Sequence, residues 1–397
     1  MSMTYNGSQG MFSLARLFLL SMWLFLAFSI LDPVGSVFRL KAVFFFTSCA
    51  ISGAFYIACM RAKINRNLLI SLFVIVFIVP FLSYIVVYLC DVSDVDPLIR
   101  TQYLVAFIPL VLLLPVVTFH LPVQRLVVAP LLLLCVLIFL VFTSSVLNLD
   151  FGHGLAKFLD QKISAAKIGI RDFNGFLVYM VYYKTSVLLV FLMAYFASSR
   201  SFFSLLVCFL ITIIMVISAT RANAIIGIGI LGSYVFFYLR DRNLVLSYLY
   251  FFSCVVIAIF AVYFGHKYFF SSDEISNQIK IGHINGYVEY FKSAGGSIIY
   301  GAGAGSGFYT PGYHKIIYSS ELSYLEIYRV YGLLALPFLG LLLFPIFKYK
   351  RLGREFTIAW LSYLLIAGTN PLLVSSTGMV AILIIYGKLM DRYRGTY

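Results

Sequence analysis

Apolar residues fall along this chain in long blocks separated by polar connectors. The blocks lie at approximately 12–31, 40–60, 68–90, 102–119, 127–147, 176–198, 202–219, 223–239, 244–265, 323–347, 356–368 and 372–390. A block of about 20 such residues spans a bilayer core as a helix, at about 1.5 Å rise per residue. The pattern therefore predicts an all-α polytopic membrane protein with about twelve transmembrane helices. The first block lacks a small-residue cleavage site and others follow it, so it reads as a retained helix rather than a signal peptide. Two connectors are long, 148–175 and 266–322. Both mix aromatic and apolar residues with their charges, as loops do that pack back onto a membrane domain.

Composition sharpens this picture. Of the 397 residues 62% are hydrophobic and 11% charged, which a soluble domain of this size could not accommodate. The net charge of +14 is distributed by connector. Alternate short connectors carry Arg61, Lys63, Arg66, Arg125, Arg200, Arg240, Arg242, Lys348, Lys350, Arg351 and Arg354, and the C-terminal tail adds Lys388, Arg392 and Arg394. The opposite set holds most acids: Asp91, Asp94, Asp96, Asp150, Asp160, Asp172, Asp273, Glu274 and Glu289. By the positive-inside rule both termini are expected in the cytoplasm and both long connectors outside. No soluble basic domain is present to hold nucleic acid, so that partner is set aside. The six cysteines sit in or at the edges of apolar blocks without metal-ligand spacing, and read as packing residues.

Ionisable residues within or beside membrane helices are costly and so are candidates for function. Arg221 lies in a polar pinch with Ser218, Thr220 and Asn223. Glu326 and Arg329 are spaced to pair on one helix face, or Arg329 meets an anionic substrate. Lys184, in the sixth block, is a weaker candidate because it can snorkel. In the second long connector, residues 300–309 carry four glycines on alternate positions, Gly301, Gly303, Gly305 and Gly307. Such a run permits a tight turn whose amides approach an anion. Near it stand His283, His314, Lys315 and Glu321. Asp94-Val95-Asp96 resembles a metal-binding pair, but no further acid or histidine accompanies it and a solvated loop is the better reading. Serine elbow, Walker loop and zinc motif are all missing, and neither metal nor cofactor is expected.

Ser218-Ala219-Thr220-Arg221, the glycine run, Glu321 with Tyr324-Leu325 and Gly332-Leu333, and the late Asn370-Pro371 turn with Ser375, Ser376 and Gly378 together resemble the membrane core of O-antigen polymerases (the Wzy type) and O-antigen ligases. The likeness covers roughly residues 218–378. Ligases carry histidine where this chain has Glu321, and an arginine where His283 stands, so the polymerase side is the nearer. The resemblance implies a GT-C-like fold in the bacterial inner membrane. It also implies metal-independent glycosyl transfer between undecaprenyl-pyrophosphate-linked saccharides at the periplasmic face, with a chain-length regulator protein as partner. Glu321 would then be the base, with His283 and His314 as alternatives. Arg221 would hold the pyrophosphate, helped by Arg171, Arg329 and Lys315, with Tyr324 and the three glycines Gly301, Gly303 and Gly305 near the sugar. A ligase, or a flippase of the same lipid-linked sugars, are the competing readings. A flippase is expected to place paired charges at several mid-span positions, whereas the charges here gather near one face.

Overall fold

The computed structural model describes residues 9–58, 65–89, 94–173, 176–218, 220–269, 275–293 and 297–391. Cys59, Arg61, Lys63, Cys90, Asp91, Asp273, Glu274, Arg392 and Arg394 lie outside them. The chain opens with five helices: α1 (Gln9–Leu31), α2 (Leu40–Ala58), α3 (Arg66–Leu89), α4 (Pro97–Thr118) and α5 (Val123–Val146). A short helix, α6 (Asp150–Lys157), leads to a hairpin of β1 (Ala166–Phe173) and β2 (Phe176–Tyr183). Four more helices follow: α7 (Ser186–Ala197), α8 (Phe202–Ile217), α9 (Arg221–Arg240) and α10 (Leu244–Phe269). The second long connector holds α11 (Ile275–Ser293) and a small hairpin, β3 (Phe308–Thr310) with β4 (Lys315–Ile317). The chain closes with α12 (Ser323–Phe347), α13 (Arg354–Gly368) and α14 (Ser376–Asp391).

A helix lies on each apolar block, and α6 and α11 add two within the long connectors. Among the described residues, seven helices are long and apolar enough to cross a membrane: α1 to α5, α9 and α12. Several are interrupted. α3 has a π turn at Val74–Ile78 just before Pro80, and α4 tightens to 3₁₀ geometry at Ile108–Leu112 around Pro109. Prolines remove an amide from the helical ladder, and the adjoining turn adjusts. At the centre, α14 is buried on nearly every side from Thr377 to Gly387, and Trp360 of α13 stacks on Tyr363 with centroids 5.6 Å apart. A helix apolar all round is one enclosed by other helices. The outer helices show the converse: Phe73, Phe77 and Phe81 on α3 and Phe252 and Ile257 on α10 are all more than half exposed. Such apolar surface requires a bilayer around it.

Polar contacts collect at two opposite ends. At one, Asp241 accepts from Arg200 (3.1 Å) and Arg354 (2.6 Å), while Asp391 accepts from Gln124 at 2.8 Å with Arg125 3.5 Å away. The end holding the long connectors is tied together differently. Ser36 donates to the Ile163 carbonyl (2.9 Å), Thr185 to Ile30 (2.6 Å), and the 94–96 segment pairs with 305–307. The described connectors thus fall into two separately bonded groups.

The sixth block departs from expectation. Helix was expected over 176–198, but 176–183 is strand β2 and the helix covers only Ser186–Ala197. The run Phe-Leu-Val-Tyr-Met-Val-Tyr-Tyr is β-branched and aromatic, which favours a pleated, half-buried strand over helix. β1 pairs with it antiparallel, from Phe173 opposite Phe176 to Ala166 opposite Tyr183. The dipeptide between the strands is Asn174-Gly175, the sequence signal for a two-residue hairpin. The first long connector accordingly extends past 175 to Thr185.

Candidate functional site

The glycine run is a clamp. Gly301, Gly303 and Gly305 have φ of 78°, 85° and 80°, the left-handed region that favours glycine. A Cβ on Gly301 would lie 2.2 Å from the Val330 carbonyl oxygen, one on Gly303 2.8 Å from that of Ser83, and one on Gly305 2.8 Å from that of Asp96. The strap is thus pressed against α12, α3 and the start of α4 at once. Three of its amides are engaged: Ala302 N–H donates to the Arg329 carbonyl (2.7 Å), Gly303 to Val330 (3.1 Å) and Gly307 to Asp94 (3.0 Å). The first two cap the broken end of the first segment of α12, where Gly332 interrupts the helix and leaves carbonyls to satisfy.

Arg329 is fully buried in the same clamp. It bonds both oxygens of Glu326, Nε to Oε2 at 3.0 Å and Nη2 to Oε1 at 2.7 Å, and donates from Nη1 to the carbonyl and hydroxyl of Ser306, each at 2.9 Å. Glu326 also accepts from Tyr103 (2.9 Å) and Tyr287 (2.6 Å), and the guanidinium lies over the Phe308 ring. Buried charges persist only when paired and hydrogen-bonded like this. The network joins α4, α11, the strap and α12, and no face of Arg329 reaches solvent. Of its two sequence readings, pairing fits. Asp94 and Asp96 are similarly engaged, Asp94 by the Tyr318 hydroxyl (2.6 Å) and Asp96 as N-cap of α4.

A few residues away the chemistry is open. Glu321 is half-buried, and its carboxylate makes no hydrogen bond or ion pair with a described residue. His283, on α11, is 0% exposed. Its Nδ1 meets the Thr310 hydroxyl at 2.8 Å, whereas Nε2 has no partner. An unpaired buried polar atom costs free energy, and function is one reason to retain it. His283 is brought there by a close backbone crossing. A Cβ on Gly282 would sit 2.2 Å from the Gly312 amide, and one on Gly286 3.0 Å from the Tyr309 carbonyl oxygen. The spacing of Gly282 and Gly286 thus lets α11 rest directly on the β3–β4 hairpin. Burial lowers the His283 pKa, opposed by the charges of Glu321 and Glu326. Tyr313 packs edge-on to His283 at 5.0 Å, and its hydroxyl is pushed up by burial and by Glu321. On the β1–β2 hairpin, burial, with Glu321 adding to it, pushes the Tyr182 phenol up to about 12. Glu321 is therefore the charge that His283, Tyr313 and Tyr182 all share.

Arg221 faces the same region. It opens α9 behind the Thr220 N-cap, and its Nη1 donates to Asn277 Oδ1 on α11 at 3.1 Å. Asn277 precedes His283 by six residues, about 9 Å along a helix. The polar pinch is held by buried Asn223, which donates to Ser186 (2.9 Å) and Ser218 (3.1 Å). Strand β2, the β3–β4 turn and α11 thus each carry a group that feels the Glu321 charge. His314 and Lys315 stand exposed on the β3–β4 turn, with Lys315 5.8 Å from the Tyr313 ring centre. Arg171 lies on β1 opposite Val178. Tyr324 points to α13, its hydroxyl donating to the Leu364 carbonyl at 3.0 Å and its ring against Gly368. Arg221 is bonded through Asn277 to the helix that carries His283, and the Glu321 charge acts on His283, while Arg329 and the glycines belong to the clamp. Tyr182, which feels the Glu321 charge, and Asn277, which bonds Arg221, are not among the residues the sequence singles out, whereas Tyr309, Tyr313 and Tyr324 are its tyrosines nearest the expected site. Tyr182 and Asn277 come from separate segments, and only the Asn-Gly dipeptide hinted at the hairpin carrying Tyr182. Groups of three or more metal-ligating side chains are absent among the described residues. No family model, curated protein or solved structure matches the chain.

Proposed function

We propose that this membrane protein polymerises lipid-linked oligosaccharide repeat units, with about twelve membrane crossings, both termini in the cytoplasm and the long connectors in the periplasm of a bacterial inner membrane. The observation that carries the reading is the Glu321 carboxylate and the buried His283 Nε2, both without a partner among the described residues, with the Glu321 charge acting on His283 and Arg221 bonded to the same helix as His283. Glycosyl transfer needs these components. A base must take the proton of an acceptor hydroxyl, and a cation must stabilise the departing diphosphate.

In this reading the non-reducing-end hydroxyl of the incoming unit attacks the anomeric carbon of the growing chain. The carbon–oxygen bond to undecaprenyl pyrophosphate breaks, and the hydroxyl proton passes to Glu321. Neutral His283 orients the acceptor from the buried side. Arg221 holds the diphosphate, because a guanidinium binds phosphate oxygens in pairs. His314 and Lys315, exposed on the hairpin turn, would meet the saccharide or a chain-length regulator rather than the scissile bond. The open charges lie at one end of the bundle, which favours surface chemistry over passage of a flipped lipid. The test is a gel of surface polysaccharide from a deletion strain complemented with wild-type or Glu321→Gln protein. Collapse of the ladder to core plus one repeat unit in the deletion and in the variant is expected. Lipid-linked polymer accumulating above bare core would make it a ligase instead, and an unchanged ladder would remove the reading.

A further inference from the structure

The β1–β2 hairpin carries two sets of side chains, sorted by the register. Ala166, Ile168, Tyr183, Val181 and Tyr179 form one face, which packs inward: Ala166, Val181 and Tyr183 are buried, and Tyr179 meets Phe142 of α5. Alternation sends Lys167, Arg171 and Tyr182 to the other face. Lys184 continues that face, because its amide donates to the Ala165 carbonyl at 3.0 Å and extends the ladder by one residue. Lys167 stands directly opposite Tyr182, so Lys184 is its diagonal neighbour, a separation of about 7–8 Å. Neither ammonium makes an ion pair or hydrogen bond with a described residue.

Like charges placed together across a ladder repel, and here one of them is also half-buried. Lys184 accordingly has its pKa lowered, first by burial and then by Lys167. A fold that holds two lysines this way retains a cost that a bound anion would remove. Polar groups adjoin them along the chain. Lys184 lies two residues before Ser186, which accepts from Asn223; Arg221 lies two residues before Asn223. Tyr182, between the lysines, feels the Glu321 charge.

We propose that this face of the hairpin binds the phosphate group of a membrane-borne ligand, with Lys167 and Lys184 as the principal cations and Arg221 at its edge. Two sources share that chemistry: the diphosphate of a lipid-linked substrate, and the headgroup of an anionic phospholipid. Only the first rests on the glycosyl-transfer reading. In that case the hairpin carries the leaving group, and Lys184 is joined there by Lys167, a binding residue that composition and hydropathy conceal.

The experiment uses the full chain in nanodiscs, with inorganic pyrophosphate as probe and thermal shift as readout. In zwitterionic lipid, pyrophosphate should stabilise the wild type, and Lys167→Gln or Lys184→Gln should weaken its binding roughly tenfold each. The doubly arginine-substituted protein should retain binding. Repeating the titration in nanodiscs containing phosphatidylglycerol separates the sources. Unchanged pyrophosphate binding assigns the site to a diphosphate, whereas competition by the anionic lipid assigns it to a headgroup. Equal binding by the wild type and both glutamine variants overturns the proposal. Because binding is read without turnover, it can hold where the polymer ladder is unaffected, and fail where the ladder collapses.

Discussion

The second long connector and the helix after it supply two polar clusters of similar composition, and these behave oppositely. In the clamp, Arg329, Glu326, Tyr103, Tyr287 and Ser306 satisfy one another, and the glycine strap closes over them. Around Glu321, the carboxylate and His283 Nε2 have no partner among the described residues, and Lys167 and Lys184 are diagonal neighbours on one hairpin face with no ion pair to a described acid. Both clusters contain the arginine, acid and glycine signals by which a sequence suggests a binding site. Saturation separates them: a charge whose every donor is engaged holds structure, and one left unengaged has capacity for a ligand.

The comparison can be broken most directly at Glu321. Glu321→Gln should lower polymer formation by about 10²–10⁴-fold, the usual contribution of a positioned base, with membrane levels of the protein unchanged. A normal ladder with that variant removes Glu321 from the chemistry. At the other cluster, Arg329→Ala should destabilise the fold by about 3–5 kcal/mol, because Glu326 is left as a buried, uncompensated charge. Thermal unfolding in detergent reads this, and polymer should fall only in proportion to folded protein. Wild-type stability in Arg329→Ala would mean that the clamp is no clamp.

Arg221→Ala sharpens the contrast from the side of the cations. Losing a donor aimed at the departing diphosphate typically lowers rate by about 10²–10³-fold, and Arg221→Lys should recover part of it. Since Arg221 also bonds Asn277, Asn277→Ala serves as the control: it removes that contact and should leave most polymer. If both variants fail alike, Arg221 positions α11 rather than substrate. Gly303→Ala should cost about 1–3 kcal/mol from the left-handed backbone alone, more with the contact to Ser83, and again without a specific effect on chain transfer.

The block pattern was informative about the helices because period and length are local properties, and each apolar block carries a helix. What failed was local competition at 176–183, where an apolar run with strand-forming side chains was read as helix. The site was half-legible. Glu321, His283 and Arg221 were named from residue type and position, but nothing local distinguishes Arg329 from Arg221. That difference depends on Ser306 and Tyr103, which the fold delivers from distant segments. The glycines were legible as a turn but not as a backbone contact, since φ above zero is needed equally for cradling an anion and for letting two backbones touch. Lys167 was invisible until a strand register set it beside Lys184.

The smallest effect probes the hinge between the clusters, α11, whose Tyr287 belongs to the clamp and whose His283 belongs to the open site. Burial holds the His283 pKa below its ordinary 6.5, so the folded protein prefers the neutral ring. The stabilisation this gives is complete above about 6.5 and is lost as pH falls toward the lower folded value, where the unfolded chain binds the proton more readily. The facing groups are the Thr310 hydroxyl, the Tyr313 ring, and the carboxylates of Glu321 and Glu326, whose charges limit the shift. Amide protection in 279–287 and 308–317, taken relative to the intrinsic exchange rate at each pH, should therefore fall between pH 7.5 and pH 5, while amides of the buried α14 stay protected. His283→Asn, which can keep a bond to Thr310 and cannot titrate, should flatten the dependence. If protection in the variant falls with acid as it does in the wild type, a group other than His283 loosens the helix. The neutral imidazole would then be a consequence of packing rather than a feature that ties the open site to the clamp.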